Sequence, residues 1–182
     1  MAIRVEKAEF NLRSKLNELD GKVPYENMPV GSVIQYVQAD IDRMTNRFSV
    51  ASTGYTSTNY DLTITPKNES SRILINANLS CHANNDGYIY VRVYNVTAGR
   101  YCNQDDKGVA RHDGMYESAI GGKSQWSMMA VEAVDFPKTT LPQTYRLYIR
   151  SSNNSVTAYA GWSSSAPNTN NMNFMSATEY KQ

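Results

Sequence analysis

Pro66-Lys67-Asn68-Glu69-Ser70-Ser71-Arg72-Ile73-Leu74-Ile75-Asn76-Ala77-Asn78-Leu79-Ser80 is a polar turn running into a strand. Ile73, Ile75, Ala77 and Leu79 take one face, and Leu74, Asn76, Asn78 and Ser80 take the other, the period of two that a half-buried strand requires. The stretch from Pro137 to Gly161 repeats the logic as loop, strand, Ser/Asn turn and strand. Here Tyr145, Leu147 and Ile149 alternate with Arg146, Tyr148 and Arg150, and Val156, Ala158, Ala160 and Trp162 alternate with Thr157 and Tyr159. Together they describe hairpins of a small sandwich.

Working outward, the same period recurs in Ser32–Asp40, in Tyr60–Thr65 as far as Pro66, in Tyr88–Asn95, in Trp126–Val134 and in Asn173–Tyr180. About eight short strands separated by turn chemistry predict an all-β protein, a two-sheet sandwich or jelly roll. Two connections are long: Thr97–Gln125, with Gly121-Gly122-Lys123, and Ser163–Met172, almost entirely Ser, Asn, Thr, Ala and Pro. Long connections at one end of a sandwich are where binding is commonly placed. The N-terminal residues differ. In Phe10–Gly21 the apolar Leu12, Leu16 and Leu19 stand at helical spacing, and Gly21 supplies a stop. A helix of about three turns is marginal alone in water and needs a surface to lie on. Pro24 and Pro29 then lead into the sheet. The expected division is an arm over residues 1–31 and a sandwich over 32–182.

With 182 residues the chain is long enough for one core without covalent staples. Lys and Arg number 18 against 17 Asp and Glu, so no basic footprint for nucleic acid exists. No apolar run approaches the ~20 residues of a membrane span, and Met1–Lys7 has no apolar signal core, so membrane insertion and secretion are not expected. Cys81 and Cys102 are too few for a disulfide framework; free thiols are expected, a single Cys81–Cys102 pair being the alternative. Four Asn-X-Ser/Thr matches, at Asn68, Asn78, Asn95 and Asn153, have no meaning without a secretory route.

Thirteen tyrosines stand against four phenylalanines, a balance suited to faces with one wet side. Burying Ile89, Val91 and Val93 is worth on the order of 2 kcal/mol each. That turns Tyr88, Tyr90, Arg92 and Tyr94 outward, and Tyr148 lies at the matching phase of its own strand. Tyr and Arg are enriched where proteins meet, so Tyr88, Tyr90, Arg92, Tyr94 and Tyr148 are the candidate subunit interface; cover by a loop of the same subunit is the plainer alternative.

Catalytic and metal chemistry find little footing. Cys81, His82, Cys102 and His112 match no zinc-ligand spacing, and adjacent Cys81 and His82 point to opposite faces of a strand. Asp105, Asp106 and Asp113 lack the calcium-loop pattern. Gly161-Trp162-Ser163-Ser164-Ser165 fails the nucleophile elbow at its last position, and Gly121-Gly122-Lys123 is not a phosphate-binding loop. Glu117 and Glu132 are an arbitrary carboxylate pair rather than a glycosidase signature. Trp126 and Trp162 offer stacking surfaces for sugars, but each sits in an alternating apolar strand where a core role is expected. No catalytic residue, metal or cofactor is expected.

An ordered set of motifs adds a resemblance. Met28-Pro29-Val30-Gly31-Ser32-Val33-Ile34-Gln35 opens the body, Leu62-Thr63-Ile64-Thr65-Pro66 closes a strand, Ser71-Arg72-Ile73-Leu74 begins the next, and the Pro-X-Thr-Thr hairpin runs from Pro137 to Ser151. Over roughly residues 29–180 this resembles a family of tailed-phage virion surface proteins, capsid decoration and fibre head domains; the region Arg100–Gln125 departs from it. The resemblance implies a jelly-roll β-sandwich similar to the tumour-necrosis-factor and complement head folds, assembled as a homotrimer on the virion surface and made in the host cytoplasm. The N-terminal segment looks like arms of other phage structural proteins, which makes Phe10, Leu12, Leu16 and Leu19 the expected anchor. The expected function is a non-enzymatic capsid decoration or cement protein whose partner is the major capsid protein. The alternatives are a tail-fibre or receptor-binding tip attached to a tail or baseplate protein, and a module binding a host surface glycan.

Overall fold

The strand opened by the Pro66 turn organises the molecule. A computed structural model describes residues 24–40, 48–84, 87–102, 118–119, 127–161 and 173–182. Among these lie β1 (Val33–Asp40), β2 (Phe48–Val50), β3 (Thr56–Ile64), β4 (Arg72–Ala83), β5 (Tyr88–Asn95), β6 (Arg100–Tyr101), β7 (Ser118–Ala119), β8 (Ser127–Asp135), β9 (Gln143–Ser151), β10 (Ala158–Ala160) and β11 (Phe174–Tyr180).

β4, at 12 residues, carries β8 along one edge, from Ile73 opposite Asp135 to Cys81 opposite Ser127. Its other edge is shared. β11 pairs with Arg72 to Asn78 and is flanked by β1; β10 pairs with Cys81 to Ala83 and is flanked by β2. At the seam the Ser80 N–H donates to Asn173 Oδ1 at 2.6 Å, and the Ser80 carbonyl accepts from Gly161 N at 3.0 Å. Gly161 turns the chain there at φ +74, a left-handed conformation that favours glycine. The second sheet runs β3-β9-β5-β6, with β7 beside the other half of β5. All strand pairings among the described residues are antiparallel. The protein is therefore all-β, two antiparallel sheets packed as a sandwich.

The alternation read from the sequence is the alternation that packs. Ile73, Ile75 and Leu79 of β4 meet Ile89 and Val91 of β5 and Leu147 and Ile149 of β9 in one core. Tyr60 is buried in it, and its hydroxyl crosses between the sheets to donate to the Ala160 carbonyl at 2.9 Å. Cys81 and Cys102 are both free and both buried. Three short strands fall where no strand was expected: β2 before the Thr56 strand, and β6 and β7 inside the Thr97–Gln125 connection. The strand around Ala158 stops at Ala160 instead of reaching Trp162. The expected arm helix with Phe10, Leu12, Leu16 and Leu19 lies outside the described residues.

The strands define two ends. At the basal end lie the entering segment 24–31, the turns 65–71, 96–99 and 136–142, and the C-terminal Lys181 and Gln182. At the distal end lie the turns 84–87 and 152–157 and the strand ends flanking 41–47, 120–126 and 162–172.

Candidate functional site: a tyrosine–arginine face and a fastened base

Because Ile89, Val91 and Val93 face the core, Tyr90, Arg92 and Tyr94 face outward, half-buried. The same holds on β9, where Arg146, Tyr148 and Arg150 stand outward between buried Tyr145, Leu147 and Ile149. The register sets Tyr90 opposite Arg150, Arg92 opposite Tyr148 and Tyr94 opposite Arg146, so aromatic and cation alternate across the strand pair. Tyr101 of β6 faces Tyr94, and Tyr55 reaches over from the segment before β3.

These side chains form a continuous stack. The Arg150 guanidinium lies 3.7 Å from the Tyr90 ring centroid and 5.3 Å from that of Tyr55. Arg92 lies 4.4 Å from Tyr55 and 5.4 Å from Tyr101. Tyr94 sits 4.9 Å from Tyr101 and 4.8 Å from Tyr148. Stacking of this kind is worth about 0.5–1 kcal/mol per contact at exposed sites and more once water is removed. Burial pushes the Tyr101 phenol up, with the Arg92 charge pulling the other way. Arg146 is held apart by a two-pronged ion pair with Asp61, which raises its guanidinium further above neutrality. Of the five residues singled out from the sequence, Tyr90, Arg92, Tyr94 and Tyr148 share this face. Tyr88 lies on the same side of β5 opposite Ala119, outside the ring contacts of the stack. Tyr55, Tyr101 and Arg150 are additions.

The base is the second feature. Lys181 fastens the entering segment: its Nζ donates to the carbonyls of Glu26 (2.9 Å) and Met28 (2.5 Å) and sits 5.1 Å from the Tyr25 ring centroid. Backbone bonds from Gly31 N to the Lys181 carbonyl and from Lys181 N to the Ser32 carbonyl complete the clasp. Beside it the fully buried Glu179 accepts from the backbone N–H groups of Lys67 (2.8 Å) and Asn68 (3.3 Å) and from Gln35 Nε2 (2.5 Å). Across the base the buried Asp135 accepts from Arg100 (2.5 Å), Asn95 (2.8 Å) and the Tyr145 hydroxyl (3.0 Å). Arg100 also holds the Phe136 carbonyl, and Gln143 holds those of Leu141 and Pro142. These two buried carboxylates therefore set the basal turns. The basal turns and the entering segment present Val30 (76 % exposed), Leu141 (67 %), Phe136 and Val96 to solvent, beside exposed Val33 at the start of β1.

Of the expected chemical candidates, Cys81 faces the core and His82 the outer surface, as adjacent strand residues must. Cys102 is buried on the other sheet. Glu132 is exposed on β8. His112, Asp105, Asp106, Asp113, Glu117, Trp126, Trp162 and Ser163–Ser165 lie outside the described residues. Among the described residues no three His, Cys, Asp or Glu side chains gather as a metal site, and no helix is long and apolar enough to cross a membrane.

No protein-family model matches the chain, and no curated protein matches it. Solved structures similar to it include the VP2 subviral particle of infectious bursal disease virus (12% identity, TM-score 0.42, covering 82% of this chain and 38% of that one). The Gx strain structure of the same virus gives 12% identity and a TM-score of 0.41 over 81% of this chain and 36% of that one. The Gt strain structure gives 11% and 0.35 over 82% and 37%. These neighbours are viral capsid proteins, and this chain spans little more than a third of their length.

Proposed function

We propose that this is a non-enzymatic structural protein of a tailed-phage virion, a trimeric capsid decoration or cement protein. Its anchor is the N-terminal segment bearing Phe10, Leu12, Leu16 and Leu19, and its copies associate through the tyrosine–arginine face. The supporting observation is the polarity of the sandwich. The N-terminal segment enters at the base, Lys181 and the Glu179 turn lock the entry point, and exposed Val30, Val33, Val96, Phe136 and Leu141 share that end. A leading segment that binds a shell protein brings this apolar end against it. The area buried there is gained only by the assembled state, which it stabilises by mass action.

A receptor-binding tip is the second reading. It is favoured by the turns 84–87 and 152–157 and by the strand ends flanking 41–47, 120–126 and 162–172, all at the end away from the entry point. One pair of measurements tests both. Deleting residues 1–23 leaves a folded oligomer that no longer enters particles; incorporation that survives the deletion refutes the anchor. Gel densitometry of purified particles then separates hundreds of copies, as decoration requires, from a handful at a tail.

A further inference from the structure

We infer that in the free protein the leading segment lies back across the basal corner of its own β8-β4-β11-β1 sheet, with Leu12, Leu16 and Leu19 on an apolar band and Asp20 beside Arg72. This goes beyond the proposed function, in which a shell protein binds the same segment: it assigns the surface that holds the segment before a shell is met.

The outer face of this sheet changes character along its strands. The register sets Val33, Tyr180 and Arg72 side by side across β1, β11 and β4, with Phe136 just past the Ile73–Asp135 pair. The next row is Tyr36, Thr178, Leu74 and Val134. All but Arg72 and Thr178 are apolar or aromatic, and Val33, Tyr36 and Phe136 are exposed. The third row, Glu132, Asn76, Ser176 and Gln38, is polar and bounds the band. Side chains on one face of a strand lie about 7 Å apart and strands about 4.8 Å apart, so the band is two rows deep and about 14 Å long. Contiguous apolar side chains rimmed by polar ones mark a contact.

One charge lies in the band. The Arg72 guanidinium stands 5.3 Å from the Tyr180 ring centroid, and its Nε is buried without a hydrogen-bond partner. Among the described residues Arg72 makes no ion pair. A half-buried guanidinium among apolar side chains calls for a carboxylate from whatever covers it.

The entry geometry names the occupant. The Tyr25 hydroxyl is 3.2 Å from Ser70 Oγ, two residues before Arg72, and Lys181 at the end of β11 holds the Glu26 and Met28 carbonyls. The chain therefore comes in under β4, passes β11 and rises into β1, so the residues before Pro24 start at the edge of the band. Leu19 is five residues from Pro24, a reach of up to about 17 Å, and Asp20 lies between them. At the helical spacing read from the sequence, Leu12 to Leu19 spans about 10 Å and fits within the band. A helix marginal by itself gains the surface it needs. So short a tether sets the local concentration of the segment at its own band on the order of millimolar, which a foreign partner must outcompete. Stripe and band are hidden from water together, and a shell protein that takes the segment uncovers both.

Disulfide trapping on the full chain tests this. Under mild oxidant the Leu16→Cys/Leu74→Cys pair closes a disulfide within one chain at least about tenfold faster than a control pair, Leu16→Cys/Tyr148→Cys, on the opposite outer face. Cys81 and Cys102 are buried in every variant. Phe136→Cys, at an exposed position, replaces Leu74→Cys if circular dichroism shows lost sheet. Asp20→Arg or Arg72→Asp slows trapping by about two- to fivefold, and combining the two restores it. No excess over the control pair, or a disulfide joining two chains, overturns the docking; slowing without restoration overturns the Asp20–Arg72 contact. Particle incorporation is scored separately: a chain that traps as expected but never enters particles refutes the anchor of the proposed function and upholds the docking.

Discussion

The buried carboxylate of Asp135 gives the sharpest test of how the base is held. Its side chain is fully buried and accepts from Arg100, Asn95 and Tyr145. In Asp135→Ala the three donors fare differently. Arg100 keeps the Phe136 carbonyl and, with 32% of its side chain exposed, turns to water. Asn95 keeps Gln143 Oε1 at 3.0 Å. The Tyr145 hydroxyl, in a fully buried residue, keeps no acceptor among the described residues. An orphaned buried hydroxyl costs about 1–3 kcal/mol, and the charge-assisted bonds, discounted for Arg100's exposure, add about 1–2. Asp135→Ala therefore destabilises by about 2–5 kcal/mol. Tyr145→Phe alone costs about 1 kcal/mol, since Asp135 retains two donors. In the double variant no hydroxyl remains to be orphaned, so its loss falls short of the sum by about 1–2 kcal/mol. Guanidinium unfolding followed by circular dichroism, with unchanged slope, measures all four corners of the cycle. Additivity within about 0.5 kcal/mol would show that the orphaned Tyr145 hydroxyl is not what the deletion costs.

Two further outcomes follow from the core. Burial pushes the Cys81 thiol up to about 12 and raises Cys102 as well. Unfolded thiols ionise at about 8.5, so from there to about 12 folded Cys81 holds a proton that the unfolded chain releases. The Cys81 contribution is thus complete below that window and falls as pH rises through it, by about 1.4 kcal/mol per pH unit, and Cys102 acts in the same direction. Cys81→Ala should flatten the alkaline slope of denaturant midpoints by that share, and an unchanged slope would contradict the assignment. At the distal end, a Cβ on Gly87 would overlap the buried Val156 side chain, so Gly87→Ala should cost about 1–3 kcal/mol. Val156→Ala should recover part of that loss in calorimetry of the double variant, and no recovery would locate the cost in the backbone.

The core face of each long strand was legible because it depends only on period: Ile73 to Leu79, Ile89 to Val93 and Tyr145 to Ile149 bury as their alternation says. The outward tyrosines followed from the same phase. What the period could not carry was short or non-local. β6 and β7 are two residues each, too brief to alternate, so Tyr101 read as loop. Tyr55 belongs to a bend around Gly54 and joins the stack only because the chain doubles back over β9 and β5. Arg150 was read as an outward strand residue without its role in the stack. Glu179 continues the inward series Met175, Ala177, and reads as a surface charge until the turn N–H groups of Lys67 and Asn68 are brought beside it. Asp135 lies one residue past the strand end read at Val134, and its donors come from three other elements.

The polarity of the fold and the placement of the two outer faces constrain each other. Strands run between base and distal end, so both outer sheet faces lie along the flanks of that axis and neither caps an end. Copies joined flank to flank about an axis parallel to the strands keep every base on one side. All N-terminal segments then leave toward the same surface, and all distal turns away from it. Pairing about an axis across the strands would point half the bases outward and strand their segments. The stack is prepared for docking in either arrangement. Its arginines are already held against rings within one copy, so little side-chain freedom remains to be lost on docking. A planar guanidinium keeps its N–H edge available to a carboxylate while its face is covered, which a lysine ammonium cannot do. Under the proposed function, association of this kind gathers several weak basal contacts into one multivalent footing, in which each copy's leading segment raises the effective concentration of the others at the shell.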